Sequence, residues 1–305
     1  MFRRVARGQG LSSTGETFAR PNGHPGIAGL QKVIATVTLG GSLEEKLRAI
    51  AGAGFEGVEL VDKDLLRFHG TARNAREMAE DLGLKIVVYQ PLRNFEGCPR
   101  IDWQNRMDTA ERMLDVMHEL GAGTLLLCSN ESSETLADEE IMANDLRRLA
   151  EFAGSREIRV GYEALSWSRR INTYGGAWRL VQMVDSPHFG LVVDSFHTCC
   201  LGDEFLTLKS IPPERIFLVQ VADAPRLCME VIEWSRRYRC FPGLGDFDLQ
   251  EFLRPILANG YQGPLSLEIF SDLYSAISPV DVANEGFKSL QSLEQSIQPR
   301  ESHRR

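Results

Sequence analysis

The sequence predicts a single (β/α)₈ TIM barrel, because short apolar runs alternate with longer amphipathic stretches from Val33 onward. Eight such pairs can be counted, and a chain of 305 residues accommodates the roughly 250 residues that these barrels use. The main competing fold is an open doubly wound sheet, and its fingerprint is missing at the expected place. The first strand is followed by GGSLEEK and not by GxGxxG, and no GxxxxGK[ST] phosphate loop occurs.

The strand candidates are short and apolar, as strands buried on both faces of a sheet should be. In chain order they are VIATVTL, GVELV, KIVVYQ, TLLLCS, IRVGYEA, GLVVDS, IFLVQVA and LSLEIF. The first helical stretch is SLEEKLRAIAGAG, where Leu43, Leu47 and Ile50 share a face and Gly52 or Gly54 can end the helix. The same spacing of apolar residues recurs in ARNAREMAEDLG, DWQNRMDTAERMLDVMHELG, DEEIMANDLRRLAEFAG and DLQEFLRPILANG.

Composition divides the chain into three segments. Residues 1–30 are rich in Arg, Gly, Ser and Thr and lack periodic apolar positions, so we expect a flexible extension there. Residues 31–298 are expected to form the barrel as one catalytic domain. The polar residues 299–305 are expected to form a flexible tail.

Charge and apolar content limit the classes of partner. A net charge of −8 disfavours nucleic acid, because binding to phosphates draws on clustered Lys and Arg. No apolar run approaches the roughly 20 residues that cross a bilayer, so we expect no membrane-spanning segment. The six cysteines show no CxxC spacing, which favours free thiols and a cytoplasmic protein. The sequence leaves open whether the chain forms a homo-oligomer.

Polar residues end the last four predicted strands, and this is where a barrel of this kind carries its active site. Three carboxylates buried together would repel one another unless protons or a cation neutralised them. Oxygen ligands of this type suit Mg²⁺ or Mn²⁺, and carboxylate sites also accept Co²⁺ or Zn²⁺. The alternative is that each acid pairs with one of the arginines. The four candidate metal ligands are Glu163, Asp194, Gln220 and Glu268.

Three further residues are candidates for catalysis and substrate binding. His197 follows Asp194 by three positions in DSFHT, and a neutral imidazole there is suited to remove a proton near neutral pH. Several arginines fall in the predicted loops at the same end of the barrel, where a guanidinium could bind a substrate carboxylate through two hydrogen bonds. Arg93 in YQPLRNFEG and Arg239 in RYRCFPG are the two that we select.

Longer motifs carry a resemblance to one enzyme family. They are IATVTLGGSLEEKLRAIAGAGFEGVE, YQPLRNFEG, LLLCSN, VGYEALSW, VVDSFHT, FLVQVADAPRL, WSRRYRCFPGLGDFDL and GPLSLEIFSD. Together they resemble bacterial 3-dehydroshikimate dehydratases, which lie within the xylose isomerase-like barrel superfamily. The resemblance extends from Val33 to Asp272, and YQPLRNFEG and RCFPGLGDFDL are its most specific parts.

The resemblance implies a reaction and a role for each candidate. The reaction would convert 3-dehydroshikimate into protocatechuate and water by an enolate-type elimination, with His197 as the base. Some relatives place a second histidine where this sequence has Leu165, so His197 would carry more of the proton transfer. The substrate carboxylate would bind Arg93 or Arg239. A divalent ion such as Mg²⁺, Mn²⁺ or Co²⁺ would be held by the family's four ligand positions, which fall on Glu163, Asp194, Gln220 and Glu268.

Other functions on the same barrel stay open at this point. A metal-dependent sugar or inositol isomerase or epimerase would need the same ion and a pair of acid and base groups. A non-catalytic binding barrel would not need the complete ligand set. An endonuclease with a three-metal cluster would need more His and Asp ligands and a basic face, whereas the whole chain has 6 His.

Overall fold

All eight apolar runs form strands in the computed structural model, which describes residues 29–297. The strands are short, and nearly all of their side chains are buried, as expected for a sheet covered on both faces. Their bounds are Lys32–Ala35 (β1), Gly57–Val61 (β2), Lys85–Leu92 (β3), Thr124–Cys128 (β4), Arg159–Glu163 (β5), Phe189–Asp194 (β6), Ile216–Val221 (β7) and Leu265–Leu267 (β8).

The sheet closes on itself, because each strand pairs in parallel with the next one in the chain and β8 pairs with β1. This confirms the predicted (β/α)₈ barrel. The helices that cover it and its loops are Leu43–Ala53 (α1), Asp62–Arg67 (α2), Ala72–Asp81 (α3), Trp103–Leu120 (α4), Glu139–Gly154 (α5), Tyr174–Val184 (α6), Ser195–Leu201 (α7), Val231–Arg237 (α8), Leu249–Ala258 (α9), Asp272–Ser275 (α10) and Pro279–Ile297 (α11).

Helix α1 shows how local sequence sets an element's ends. Ser42 accepts a hydrogen bond from the backbone N–H of Glu45, and the Glu45 side chain accepts one from the backbone of Ser42. Such a capping box satisfies two backbone donors that the first turn leaves free. The helix ends at Gly54, whose φ of 101° is in the left-handed region, so Gly54 and not Gly52 provides the predicted stop.

A small apolar cluster fills the inside of the barrel, separate from the main core between the sheet and its helices. Val88, Val192 and Leu218 belong to it, one from each of three strands. Side chains two residues apart on a strand point the same way. Residues two positions further along β3, β6 and β7 therefore face the barrel interior above this apolar floor.

The first strand is shorter than the sequence predicts. VIATVTL forms strand only as far as Ala35, and a 3₁₀ turn follows over Thr36–Thr38. The threonine hydroxyls explain the difference, because they bond to neighbouring strands in place of the β1 backbone. Thr36 Oγ1 accepts from the Val61 N–H at 3.1 Å, and Thr38 Oγ1 accepts from the Ile269 N–H at 3.0 Å.

The segments predicted to flank the barrel fall mainly beyond the described part of the chain. Of the expected extension over residues 1–30, only Gly29 and Leu30 are described, and the expected tail over 299–305 lies outside. Within residues 29–297, the helices are either too short or too polar to traverse a bilayer.

Candidate active site

The four candidate ligands lie together at the mouth of the barrel, the end where the carboxyl ends of the strands meet. Asp194 on β6 is in register with Gln220 on β7, and Glu163 ends β5 beside them. Glu268 directly follows β8. All four are 0% to 3% exposed. The closed, parallel sheet thus brings four strand ends to one buried place, as the sequence predicted.

Two carboxylates and the histidine form the tightest group. Glu163, Asp194 and His197 each offer one ligand atom, and these atoms all lie within 4.8 Å of one another. Asp194 ends β6 and also caps α7, since its Oδ1 accepts from the backbone N–H groups of Phe196 and His197. The cap holds His197 on the first turn of α7, next to the strand that supplies Asp194.

The imidazole of His197 is buried and held from several sides. Its Nδ1 lies 2.9 Å from the Ser166 hydroxyl, and its Nε2 lies 3.6 Å from Glu163 Oε1. The Trp167 ring packs edge-on against it at 5.0 Å. Burial lowers the pKa of His197 to about 3, and Asp194 opposes this while the Arg239 charge adds to it. The ring is therefore neutral near pH 7.

Arg239 is buried among the carboxylates instead of standing in an open loop. Its Nη1 donates to Asp194 Oδ2 at 2.7 Å and to Glu268 Oε2 at 3.3 Å, and its Nη2 lies 3.2 Å from His197 Nε2. The rest of the guanidinium donates to Ser235. Burial lowers the pKa of Arg239, but Asp194 and Glu268 raise it above its usual value.

One guanidinium does not balance the negative charge at the mouth. Asp194 and Glu268 share Arg239, so the alternative of acid–arginine pairing holds for two of the three candidate acids. Within the described residues, Glu163 contacts no arginine and its Oε1 has no hydrogen-bond partner. Burial, followed by repulsion from Glu268 and Asp194, raises the pKa of Glu163 well above its usual value.

These residues fit a divalent cation. Glu163 Oε1 and Gln220 Oε1 are buried oxygens that lack a hydrogen-bond partner in the described part of the chain, and a buried polar atom of this kind is costly unless a ligand satisfies it. Asp194 and Glu268 supply further oxygens beside them. A set of carboxylate and amide oxygens matches what hard divalent ions bind.

Arg93 occupies the loop that follows β3 and is half-buried. Its Nη1 is buried without a hydrogen-bond partner among residues 29–297, and the nearest acid contact is Glu131 Oε1 at 4.0 Å. Burial lowers the pKa of Arg93, but nearby acids that include Glu163 and Glu268 raise it more. A charged donor close to the mouth is thus left free for an anionic group.

Two buried residues of the site were missed from the sequence. Glu59 on β2 is 0% exposed, and Gln90 on β3 is 4% exposed. Gln90 Nε2 donates to Glu59 Oε2 and to Glu268 Oε1, both at 3.0 Å. A usable signal was present in GVELV, because one charged residue inside an otherwise apolar strand must face a polar partner.

Known proteins share this fold and align with most of this chain. A family model described as "Xylose isomerase-like TIM barrel" matches residues 47–293. The chain belongs to the xylose isomerase-like TIM barrel family. The 3-dehydroshikimate dehydratase of Pseudomonas putida is 50% identical to this chain over 271 residues. The alignment covers 89% of this chain and 43% of that enzyme.

Solved structures extend the comparison for this xylose isomerase-like chain. A "xylose isomerase-like TIM barrel/4-hydroxyphenylpyruvate dioxygenase fusion protein" matches with a TM-score of 0.85 and 47% identity, covering 90% of this chain and 46% of that one. The chain therefore spans less than half the length of these two relatives. The IOLI protein, crystallised with a zinc atom, shares the fold at a TM-score of 0.81 and 18% identity, covering 89% of this chain and 100% of that one. The first two matches confirm the resemblance inferred from the motifs.

Proposed function

We propose that this chain is a divalent-metal-dependent 3-dehydroshikimate dehydratase, a hydro-lyase that forms protocatechuate and water. The observation that carries the proposal is 50% identity to the P. putida enzyme of that name over 89% of the chain. The buried cluster at the mouth supports it, because the cluster combines acidic side chains and a neutral histidine, and Arg93 offers a donor without a hydrogen-bond partner among the described residues. A small-molecule substrate is expected, because the P. putida relative is named for its action on 3-dehydroshikimate.

In this proposal Glu163, Asp194, Gln220 and Glu268 hold the ion, and Mg²⁺, Mn²⁺ and Co²⁺ are the candidates. When bound, the ion would polarise the substrate's ketone oxygen and stabilise the negative charge that develops there. The zinc atom in the IOLI structure supports metal binding by a protein of the same fold. The carboxylates repel one another in the absence of a cation, and a bound cation would offset this repulsion.

His197 is the proposed base. Its neutral ring would take the proton from the ring carbon between the ketone and the neighbouring hydroxyl. The same nitrogen, now protonated, would return that proton to the next hydroxyl as it leaves, so that one water forms and His197 regains its starting state. The remaining diene tautomerises to the aromatic catechol. Ser166 holds the other ring nitrogen and so fixes the direction of the base.

The substrate carboxylate is proposed to bind Arg93, whose Nη1 has no hydrogen-bond partner in the described residues. Arg239 is the second proposed contact, through the Nη2 that faces His197. Binding energy from the carboxylate, which does not react, would hold the reacting carbons near the base.

Turnover of purified 3-dehydroshikimate, followed by the ultraviolet absorbance of the catechol product, tests the proposal. We expect product with a divalent ion present, no product after treatment with a chelator, and recovery when the ion is restored. Ketose sugars and inososes serve as control substrates. Turnover of those compounds without any from 3-dehydroshikimate would replace the dehydratase with an isomerase.

A further inference from the structure

Glu59 is a buried acid for which the proposed reaction has no use. It lies in the middle of β2, in the otherwise apolar run GVELV, and is 0% exposed. A buried carboxyl group costs free energy unless it is bonded to partners that need it there. The contacts of Glu59 therefore indicate what it does.

Glu59 connects to two of the four proposed ligands. Its Oε2 accepts hydrogen bonds from Gln220 Nε2 and from Gln90 Nε2, both at 3.0 Å. Gln90 Nε2 also donates to Glu268 Oε1 at 3.0 Å. Glu59 Oε2 thus contacts the proposed ligand Gln220 directly, and it is linked to the proposed ligand Glu268 through Gln90.

The bond to Gln220 has a direction. A glutamine amide has a donor end and an acceptor end, and the two can exchange by rotation about the last side-chain bond. Glu59 Oε2 accepts two hydrogen bonds, so it selects the Nε2 end of Gln220. The Oε1 end then points away from Glu59, and it is the buried oxygen that has no partner in the described part of the chain.

We propose that Glu59 is a positioning residue that holds the Gln220 amide with its oxygen, not its nitrogen, toward the bound metal. The inference rests on the proposed metal site. Partners behind a ligand commonly orient it, and their loss weakens metal binding about 10- to 100-fold. Glu59 touches neither the metal nor the substrate in this role, and it acts through Gln220.

Binding of Mn²⁺ to the metal-free protein, measured by titration calorimetry, tests the role without any substrate. Glu59→Leu keeps the size of the side chain but removes the acceptor, and we expect Mn²⁺ to bind about 10- to 100-fold more weakly. Glu59→Gln keeps an oxygen that can accept from both amides, and we expect it to restore binding close to the wild-type value. A role in packing alone would not separate these two variants.

The decisive comparison uses Gln220→Ala. If Glu59 acts through Gln220, adding Glu59→Leu to Gln220→Ala causes no further loss of Mn²⁺ affinity, whereas independent effects would add. Additive losses, or wild-type affinity in Glu59→Leu, would overturn the inference. Should Glu59→Leu fail to fold, Glu59→Asp withdraws the acceptor by one methylene, and wild-type affinity in that variant would equally overturn it.

The two proposals fail in different ways. Wild-type Mn²⁺ binding by Gln220→Ala would remove Gln220 from the metal site and the inference with it. Intact Mn²⁺ binding with no turnover of 3-dehydroshikimate would reject the proposed reaction. The Glu59 variants would still test the positioning of Gln220, because that comparison measures Mn²⁺ affinity alone.

Discussion

The two ring nitrogens of His197 meet different surroundings. Ser166 lies at Nδ1, whereas Nε2 faces Glu163 and Arg239. The Ser166 backbone N–H donates to Nδ1 at 3.2 Å and the Ser166 hydroxyl lies 2.9 Å from the same nitrogen, so Ser166 holds the ring by one edge. Nε2 is the nitrogen that faces the mouth, so loss of the imidazole tests whether it serves as the base or as a ligand.

His197→Ala is therefore expected to lower turnover by at least about 100-fold, the usual contribution of a general base, while metal content stays at the wild-type level. Elemental analysis and the catechol assay measure the two quantities on one sample. His188→Ala, in the turn before β6 at the opposite end of the barrel, is the matched control. Joint loss of metal and activity in the His197 variant would make this residue a ligand.

Glu268→Ala removes a proposed ligand and is expected to reduce both bound metal and turnover. Its carboxylate contacts Gln90 and Arg239, so the change removes one negative charge from the mouth while Arg239 keeps its bond to Asp194. Elemental analysis after dialysis checks this. Glu233→Ala, whose side chain is 52% exposed on α8, should retain its metal. A fully metallated and active Glu268 variant would contradict the ligand assignment.

Single residues could be predicted from the sequence where their role depends only on their position along one strand. A polar residue at the end of an apolar strand identifies Glu163, Asp194, Gln220 and Glu268, because strand direction alone decides where strand ends lie. The sequence did not locate Glu59, whose partner Gln220 lies 161 residues away. Such a pair depends on barrel closure and strand register, which local patterns do not encode.

The elements show a similar division. The apolar runs predicted all eight strands, but β1 ended early because threonine hydroxyls replaced strand pairing. Thr38 Oγ1 accepts from the Ile269 N–H and donates to the Leu267 carbonyl, so one side chain fixes the backbone on both sides of Glu268. The short helix α7 also depends on a side-chain bond, the Asp194 cap, that strand and helix periodicity do not reveal.

Thr38→Val keeps the shape of the side chain and leaves the buried Ile269 N–H without its partner. We expect the free energy of unfolding to fall by about 1–3 kcal/mol, the cost of an unsatisfied buried donor. Urea unfolding of the metal-free protein measures it. Thr38→Ser retains the hydroxyl and should lose less stability. Equal stability of Thr38→Val and wild type would show that this bond does not hold the end of β8.

For the molecule as a whole, Glu96 ties together parts that are distant in the sequence. Its Oε1 accepts from the Tyr162 hydroxyl on β5 at 2.8 Å and from the Asn130 N–H after β4 at 2.6 Å. Its Oε2 is buried without a partner in residues 29–297. Burial raises the pKa of Glu96 to about 7, the two hydrogen bonds lower it, and Asp145 raises it slightly.

The raised pKa of Glu96 makes the stability of the fold depend on pH. The usual value for a glutamate is 4.5, so between about pH 4.5 and 7 the folded chain binds more protons at Glu96 than the unfolded chain does. The contribution of Glu96 to the free energy of unfolding is complete below pH 4.5. It is lost as pH rises toward 7, by up to about 1.4 kcal/mol per pH unit. Urea unfolding at several pH values should show the stability of wild type falling relative to Glu96→Gln. Parallel curves for the two proteins would contradict the assignment.

The hydrogen bonds around the mouth join the beginning of the barrel to its end. Glu59 meets Gln220 across 161 residues, Gln90 meets Glu268 across 178, and Thr38 meets Ile269 across 231. The four proposed ligands come from β5 to β8 and their supports from β2 and β3, so a folding intermediate that lacks β7 or β8 would lack part of the proposed ion site. An ion bound at the proposed site would stabilise the closed barrel over any state in which the sheet is still open.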